Sequence, residues 1–231
     1  MAASAALTTQ PPHHPAALRN RIPIADVLKG FDLAAGPALE IGSGTGAHVE
    51  LFAQQLPQLT WQPTEYIPPQ PADDADVKKS PFDETRRSME IIDSYGCAQH
   101  SNVLPAIALD GSQPFAEWPE CVTAAAGRHS LLYCSNVCHI SPWECTRGII
   151  SGAGSALALG GSLVIYGPFK VDGRAIPESN AAFDASLRER NPAWGLRDVA
   201  DLSEQALQHG LTLSERVSMP ANNFLLRFVK G

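Results

Sequence analysis

Leu39-Glu40-Ile41-Gly42-Ser43-Gly44-Thr45-Gly46-Ala47 is the stretch on which the fold turns. Residues 38–41 read as a short apolar strand that halts at Gly42. Residues 47–56 read as a helix carrying Val49, Leu51, Phe52 and Leu56. Strand, glycine turn and helix thus follow one another without a gap. Glycine permits positive φ and a close approach of ligand to backbone. The emerging helix offers free amides and the positive end of its dipole to a carboxylate or phosphate. A tight turn with no ligand is the plain alternative.

Outward from the turn, strand and helix alternate. Residues 22–31 form an amphipathic helix before the first strand, and residues 59–64 a second strand ending near Glu65. Residues 66–84 hold Pro68, Pro69, Pro71 and Pro81 and are expected to be irregular, because proline removes a donor and restricts the residue before it. A helix over residues 84–94 and a strand over residues 103–109, ending at Asp110, follow. Residues 129–135 are a fourth strand. Ser141-Pro142-Trp143-Glu144 has the form of a capping box, with Ser141 as cap, opening a helix that runs to about residue 157. Residues 162–166 give a fifth strand, residues 179–190 a helix, and residues 201–209 another, with Asp201 and Glu204 at capping-box spacing.

The end differs. Residues 211–217 and 224–229 are strands joined by six residues, too few for a crossover, so they pair antiparallel. The expected architecture is α/β, with a mainly parallel sheet covered on both faces and an antiparallel finish.

The chain has 231 residues, 44% of them apolar, and a net charge of −7 from 17 Lys plus Arg against 24 Asp plus Glu. That balance offers no broad attraction to nucleic acid and favours a small-molecule substrate. Five cysteines are an odd number in a chain of this length, which argues against a disulfide scaffold. Cys134, Cys138 and His139 lie close together but lack a second ligand pair, so no metal is expected. Apolar runs stop short of the ~18 residues a membrane helix needs. Residues 1–18, with neither lysine nor arginine, are read as a flexible tail, and residues 19–231 as one cofactor-binding domain. The expected location is cytoplasmic; oligomeric state is unread.

Two cofactors fit the turn. Gly42, Gly44 and Ala47 satisfy the dinucleotide pattern of a nicotinamide oxidoreductase, which tolerates alanine in third place. Gly46, and Glu40 two residues before Gly42, favour S-adenosylmethionine, with Glu40 serving the methionine ammonium. Glu65, 23 residues after Gly42, suits the ribose hydroxyls of either. Asp110 ends the third strand where it could accept from an adenine amino group. Asn136 and His139 follow the fourth strand, and Tyr166 ends the fifth. Polar residues at five successive strand ends suggest one crevice. His139 has the intrinsic range of a base, with a structural hydrogen bond as the alternative. Asn136 and Tyr166 are candidates to orient a substrate, and Trp143 to wall it. Asn180 and Asp184, four apart on one helix face, are explained without substrate by capping and exposure. Asn222 and Asn223 turn the final hairpin.

More distinctive than the glycines are Ser135-Asn136, His139-Ile140-Ser141-Pro142-Trp143-Glu144, Tyr166-Gly167-Pro168-Phe169-Lys170, residues 179–188 and Met219-Pro220-Ala221-Asn222-Asn223. With Arg19-Asn20, Pro23-Ile24, Trp61-Gln62-Pro63 and Leu109-Asp110, they make the chain resemble the DUF938 (UPF0585) family, to which the animal proteins named methyltransferase-like 26 belong. The resemblance implies the Rossmann-like seven-stranded methyltransferase sheet, strand order 3-2-1-4-5-7-6 with strand 7 antiparallel. It implies Glu40, Gly42, Gly44, Gly46, Glu65 and Asp110 as S-adenosylmethionine-binding residues. The family usually has Asp where this chain has Glu65. An enzyme of this class would transfer a methyl group; a non-catalytic sensor or partner subunit is the alternative.

Overall fold

The computed structural model describes residues 13–69 and 81–231. Its strands are β1 (Gly36–Ile41), β2 (Leu59–Glu65), β3 (Ile107–Ala108), β4 (His129–Ser135), β5 (Leu157–Gly167), β6 (Leu211–Met219) and β7 (Asn223–Lys230). They form one sheet in the order β3-β2-β1-β4-β5-β7-β6, the expected order. The first five run parallel, and β7 is antiparallel to both β5 and β6. Helices α1 (Pro15–Lys29), α2 (Ala47–Gln55), α3 (Pro81–Ile91), α4 (Glu120–Thr123), α5 (Trp143–Ala156), α6 (Glu178–Arg190) and α7 (Val199–Leu207) complete the regular structure, with α3 continuing into a wider turn over Ile92–Cys97.

Two cores follow from the pleat. Strand side chains alternate between faces, so Leu39 and Ile41 join Leu132, Cys134, Leu163 and Ile165 beneath α5 and α7. Ala38, Leu131, Tyr133, Val164 and Tyr166 face α1 and α2 on the other side. Strand β4 is buried on both faces, as a central parallel strand must be, whereas the outer strand β6 alternates half-buried with exposed positions between two buried ends. Glu40 takes the same face as Ala38, which puts a carboxyl into an apolar layer.

Several boundaries depart from the sequence reading. Residues 15–18, expected in a tail, already belong to α1, whose cap is the His14 ring accepting from the Ala16 amide at 3.2 Å. Residues 1–12 lie outside the described residues, as do residues 70–80 of the proline-rich stretch, while residues 81–84 are helical. The strand expected over residues 103–109 contracts to two residues plus one bridge between Val103 and Trp61. Pro63 and Pro105 each lack an amide to give a ladder there, and the Gln62 side chain bonds the Pro105 carbonyl instead. Ser141 does not cap α5. Its hydroxyl turns back to the Cys138 carbonyl at 3.5 Å and Pro142 holds the cap position. Helix α7 starts earlier than expected because Asp198, not Asp201, caps it, accepting from the Ala200 amide at 2.8 Å. No helix among the described residues is long and apolar enough to cross a membrane.

Candidate active site

The three turn glycines all take positive φ, at 72° for Gly42, 56° for Gly44 and 84° for Gly46. Their reasons differ. A Cβ on Gly42 would lie 2.5 Å from Val137 Cγ2, and one on Gly46 would lie 2.9 Å from Ile92 Cγ1, so those two glycines admit neighbouring side chains. A Cβ on Gly44 would meet nothing within 4 Å. Gly44 therefore faces open space, and only there does the turn keep room for something outside the protein.

The turn is braced from both ends. Glu65, at the end of β2, accepts from the Gly44 amide at 2.7 Å and, through its other oxygen, from the Tyr66 amide at 3.1 Å. Burial raises its carboxyl pKa, and those two amides oppose the rise. His13 bonds Thr45 Oγ1 at 2.9 Å and Glu50 at 3.1 Å, and Arg21 reaches the same Glu50 oxygen and the Ala47 carbonyl. Ser43 and Thr64 close the base of the turn: both hydroxyls donate to the Glu40 carbonyl, at 3.4 and 2.9 Å.

Glu40 is 1% exposed and its Oε2 has no hydrogen-bond partner. Burial pushes the carboxyl up to about 8, opposed by the Ser43 hydroxyl and reinforced by Glu65. A buried acid without a partner is costly and marks a place where a cation belongs. Beside it lies a residue that sequence reading missed. His48, in the first turn of α2, sets Nδ1 3.8 Å from Glu40 Oε1 and bonds Asn20 Oδ1 of α1 through Nε2 at 2.8 Å. Burial, followed by the charges of Arg21 and His13, drops His48 to about 3, so the imidazole is neutral. A histidine at a buried helical position, one residue after the glycine motif, was the available signal.

At the ends of β4 and β5, Asn136 takes φ 58° and continues the ladder beyond β4, its amide donating to the Tyr166 carbonyl at 2.9 Å. His139 sits in the short turn Cys138–Ile140. Asn136 and His139 converge over Gly167: a Cβ there would lie 3.4 Å from His139 Nδ1 and 3.7 Å from Asn136 Oδ1. Gly167, read from sequence only as part of the Tyr166–Lys170 string, thus makes room for both. The His139 ring also packs edge-on against Phe183 of α6, with centroids 5.5 Å apart. Burial, then the charges of Arg197 and Arg190, lowers His139 to about 4.

Tyr166 is 3% exposed and faces α1 rather than His139's side. Burial raises the pKa of its phenol, and the nearby Asn20 and Asn223 side chains partly offset the rise. Asp110 is turned onto its own loop, where one oxygen accepts from the Ser112 amide at 2.8 Å and the Ser112 hydroxyl at 2.6 Å. Trp143 is half-buried beneath the Arg197 guanidinium, 5.7 Å away, so it serves as a platform for that cation.

Asn180 and Asp184 are buried, not the exposed pair expected from sequence. Asn180 clasps the carbonyls of Ile176 and Asn222, and Asp184 binds Lys170 at 2.7 Å and the Leu196 amide at 2.7 Å. Among the described residues no group of three or more His, Cys, Asp or Glu side chains is placed to hold a metal ion.

The family DUF938, a protein family of unknown function, matches residues 11–230 of the chain. Among solved structures, the chain is similar to an O-methyltransferase family protein from Burkholderia thailandensis, with a TM-score of 0.69 and 17% identity over 94% of this chain and 57% of that one. It is also similar to the mitomycin 7-O-methyltransferase MmcR, with a TM-score of 0.64 and 16% identity over 92% and 54%. A third is CalO1, a methyltransferase in calicheamicin biosynthesis in its SAH-bound form, with a TM-score of 0.61 and 12% identity over 94% and 54%. These likenesses establish a methyltransferase fold. The chain spans a little over half the length of these three proteins.

Proposed function

The chain belongs to the DUF938 family, and from that premise we propose that it is an S-adenosylmethionine-dependent methyltransferase acting on a small-molecule acceptor. The observation that carries this reading is the buried, unpartnered Glu40 oxygen under a glycine turn that is open only at Gly44. A dinucleotide presents phosphates to such a turn and leaves the buried acid beneath it without a cationic partner. An amino-acid ammonium meets the same acid favourably. Structural relatives with SAH bound support the same choice.

The cofactor supplies an activated methyl group on a sulfonium that leaves as a neutral thioether. Glu40 would hold the ammonium, Glu65 the ribose hydroxyls, and the amides of the turn the nearby polar atoms. Asp110 would serve the adenine side. The protein's remaining task is to orient the acceptor and receive its proton if it has one. Asn136 and His139, which approach each other over Gly167, would do this work. His139 is unprotonated at neutral pH and can accept a hydrogen bond or a proton at a ring nitrogen.

A second reading, binding of the cofactor without transfer, draws on the burial of Tyr166 and the Phe183 ring against His139. Calorimetric titration with S-adenosylmethionine and NADH in parallel tests the cofactor. Heat with NADH alone would overturn the assignment. His139→Ala and Asn136→Ala then separate the two readings: under the first they abolish turnover of an acceptor while leaving S-adenosylhomocysteine binding within threefold.

A further inference from the structure

A cavity of about 670 Å³ opens between the start of α5, the loop after β5, the end of α6 and the start of α7. Small-ligand pockets have that size, and none of the glycine-turn residues lines this one. Backbone bonds tie its walls together. The Lys170 amide donates to the Arg197 carbonyl at 2.8 Å, and the Val199 amide to the Lys170 carbonyl at 3.0 Å. The cavity adjoins the turn that carries His139, because Arg197 on its wall donates from Nε to the Cys138 carbonyl at 2.9 Å.

Three cations line this space, and their situations differ. Lys170 and Arg188 share the Asp184 carboxylate, at 2.7 and 3.4 Å. Arg197 is buried, yet no carboxylate among the described residues forms an ion pair with it. Its Nε and Nη2 hydrogens go to three backbone carbonyls, those of Cys138, Ser141 and Ala193. A guanidinium has five N–H donors. The two on Nη1 therefore meet no acceptor among the described residues. A buried charge is costly unless it is paired and fully hydrogen-bonded. The three carbonyls, and the Trp143 ring 5.7 Å from the guanidinium, hold Arg197 in one place, so Nη1 is a preorganised donor.

The same walls limit the anion. Asp172, Asp198 and Asp201 also line the cavity. Asp198 is spent on the Gly173 and Ala200 amides, at 2.6 and 2.8 Å, but it keeps its charge. A phosphate dianion would meet these carboxylates with twice the repulsion of a single charge. A carboxylate brings one charge and suits one free guanidinium edge. Trp143 and the buried Leu196 offer apolar surface to the rest of such a molecule. We propose that this cavity binds a small monocarboxylic acid, its carboxylate on Arg197 Nη1 and its flat or apolar body against Trp143 and Leu196. The site stands on its own residues and needs no bound cofactor.

Benzoate and inorganic phosphate are the probes, each titrated into nitrogen-15-labelled protein at constant ionic strength. The Trp143 indole signal, identified among the four tryptophans by Trp143→Leu, and the Arg197 Nε signal report binding. Benzoate should shift both saturably, and phosphate at equal concentration should leave them in place. Arg197→Gln should abolish the benzoate response. Because Arg197 also holds three carbonyls, two variants that keep it make the test decisive even if that one fails to fold. Asp172→Asn removes a like charge at φ 53°, which asparagine tolerates, and should tighten benzoate about two- to threefold. Trp143→Leu, followed by the Arg197 signal, should weaken it about three- to tenfold. The proposal is overturned by benzoate that gives no saturable shift, by Asp172→Asn binding no more tightly, or by phosphate moving the same signals further than benzoate does. S-adenosylmethionine is absent throughout, so failure here leaves the cofactor reading untouched, and failure of that reading leaves this site standing.

Discussion

The ends of β1 and β2 and the ends of β4 and β5 lie along one edge of the sheet but satisfy their polar groups in different ways. At the first pair, Glu40 keeps an oxygen with no partner and Gly44 faces open space. At the second, Asn136 extends the ladder through Tyr166, and Arg197 bonds the carbonyls of Cys138 and Ser141. The Gly195 amide binds the His139 carbonyl at 3.0 Å. A folded chain meets nearly all its buried polar groups from within. An unmet group therefore points to a ligand from outside, and a met one to a frame. On the proposed reading, the cofactor end carries a gap to be filled, and the acceptor end holds His139 in a hydrogen-bonded frame.

The sharpest way to break this contrast is to remove the unmet group. Glu40→Gln should weaken S-adenosylhomocysteine binding by about a hundredfold or more, the scale of losing one partner of a buried charge pair at roughly 2–5 kcal/mol. The same change should raise the melting temperature by roughly 3–6 °C, because a strained buried acid becomes a neutral amide. A frame residue would behave oppositely, losing stability and leaving affinity alone. Calorimetry and thermal melts on one sample distinguish the two. A fall in both would place Glu40 in the frame.

The glycines divide in the same way. Gly42→Ala drives a Cβ toward Val137 and should cost about 2 kcal/mol of stability, from left-handed strain plus contact. Gly44→Ala carries strain of about 1 kcal/mol only. It should instead lower cofactor affinity tenfold or more, since the new methyl occupies the open approach. Urea unfolding and calorimetry check the pair, and similar losses of stability in both would remove the distinction.

How far the sequence reveals this contrast depends on range. Residues 39–47 specify strand, turn and helix through local chemistry, and the short link between β6 and β7 forces an antiparallel end. Local signals fail where a distant partner intervenes. Ser141 has the spacing of a cap, but Arg197, 56 residues away, holds its carbonyl. Asp110 stands at a strand end, yet the nearer Ser112 takes its carboxylate. Asn180 and Asp184 look like exposed polar residues until their partners, Asn222 and Lys170, arrive from other elements. His48 escaped notice because its significance lies in Glu40 and Asn20, on a strand and another helix.

pH offers a gentler probe of both ends. Glu40 stays protonated in the free protein up to about 8, with His48 neutral, Ser43 bonding and Glu65 repelling nearby. An ammonium favours the ionised form, so binding below that pH must expel a proton. Affinity should therefore climb by up to about tenfold per pH unit between 6 and 7.5, and Glu40→Gln should flatten that climb. His139, lowered to about 4, should add no inflection to turnover over the same interval. Turnover that falls with a midpoint near 6.5 would show the acceptor end to be more open than its burial indicates.

The smallest expected effect concerns His13, which belongs to neither end. Its ring bonds Thr45 inside the turn and Glu50 just beyond it, so it straps the residues leading into α1 to the turn that Glu65 also holds. His13→Ala removes both bonds, which should cost about 1 kcal/mol of stability. If the strap stiffens the turn around its ligand, dissociation of S-adenosylhomocysteine should quicken two- to fivefold with little change in association rate, measured by stopped-flow competition. Glu65 cannot substitute for the strap, because it holds the Gly44 amide and leaves Thr45 untouched. An unchanged dissociation rate would mean that Glu65 alone sets the turn, and the contrast between an open cofactor end and a braced acceptor end would then stand without help from the N-terminal segment.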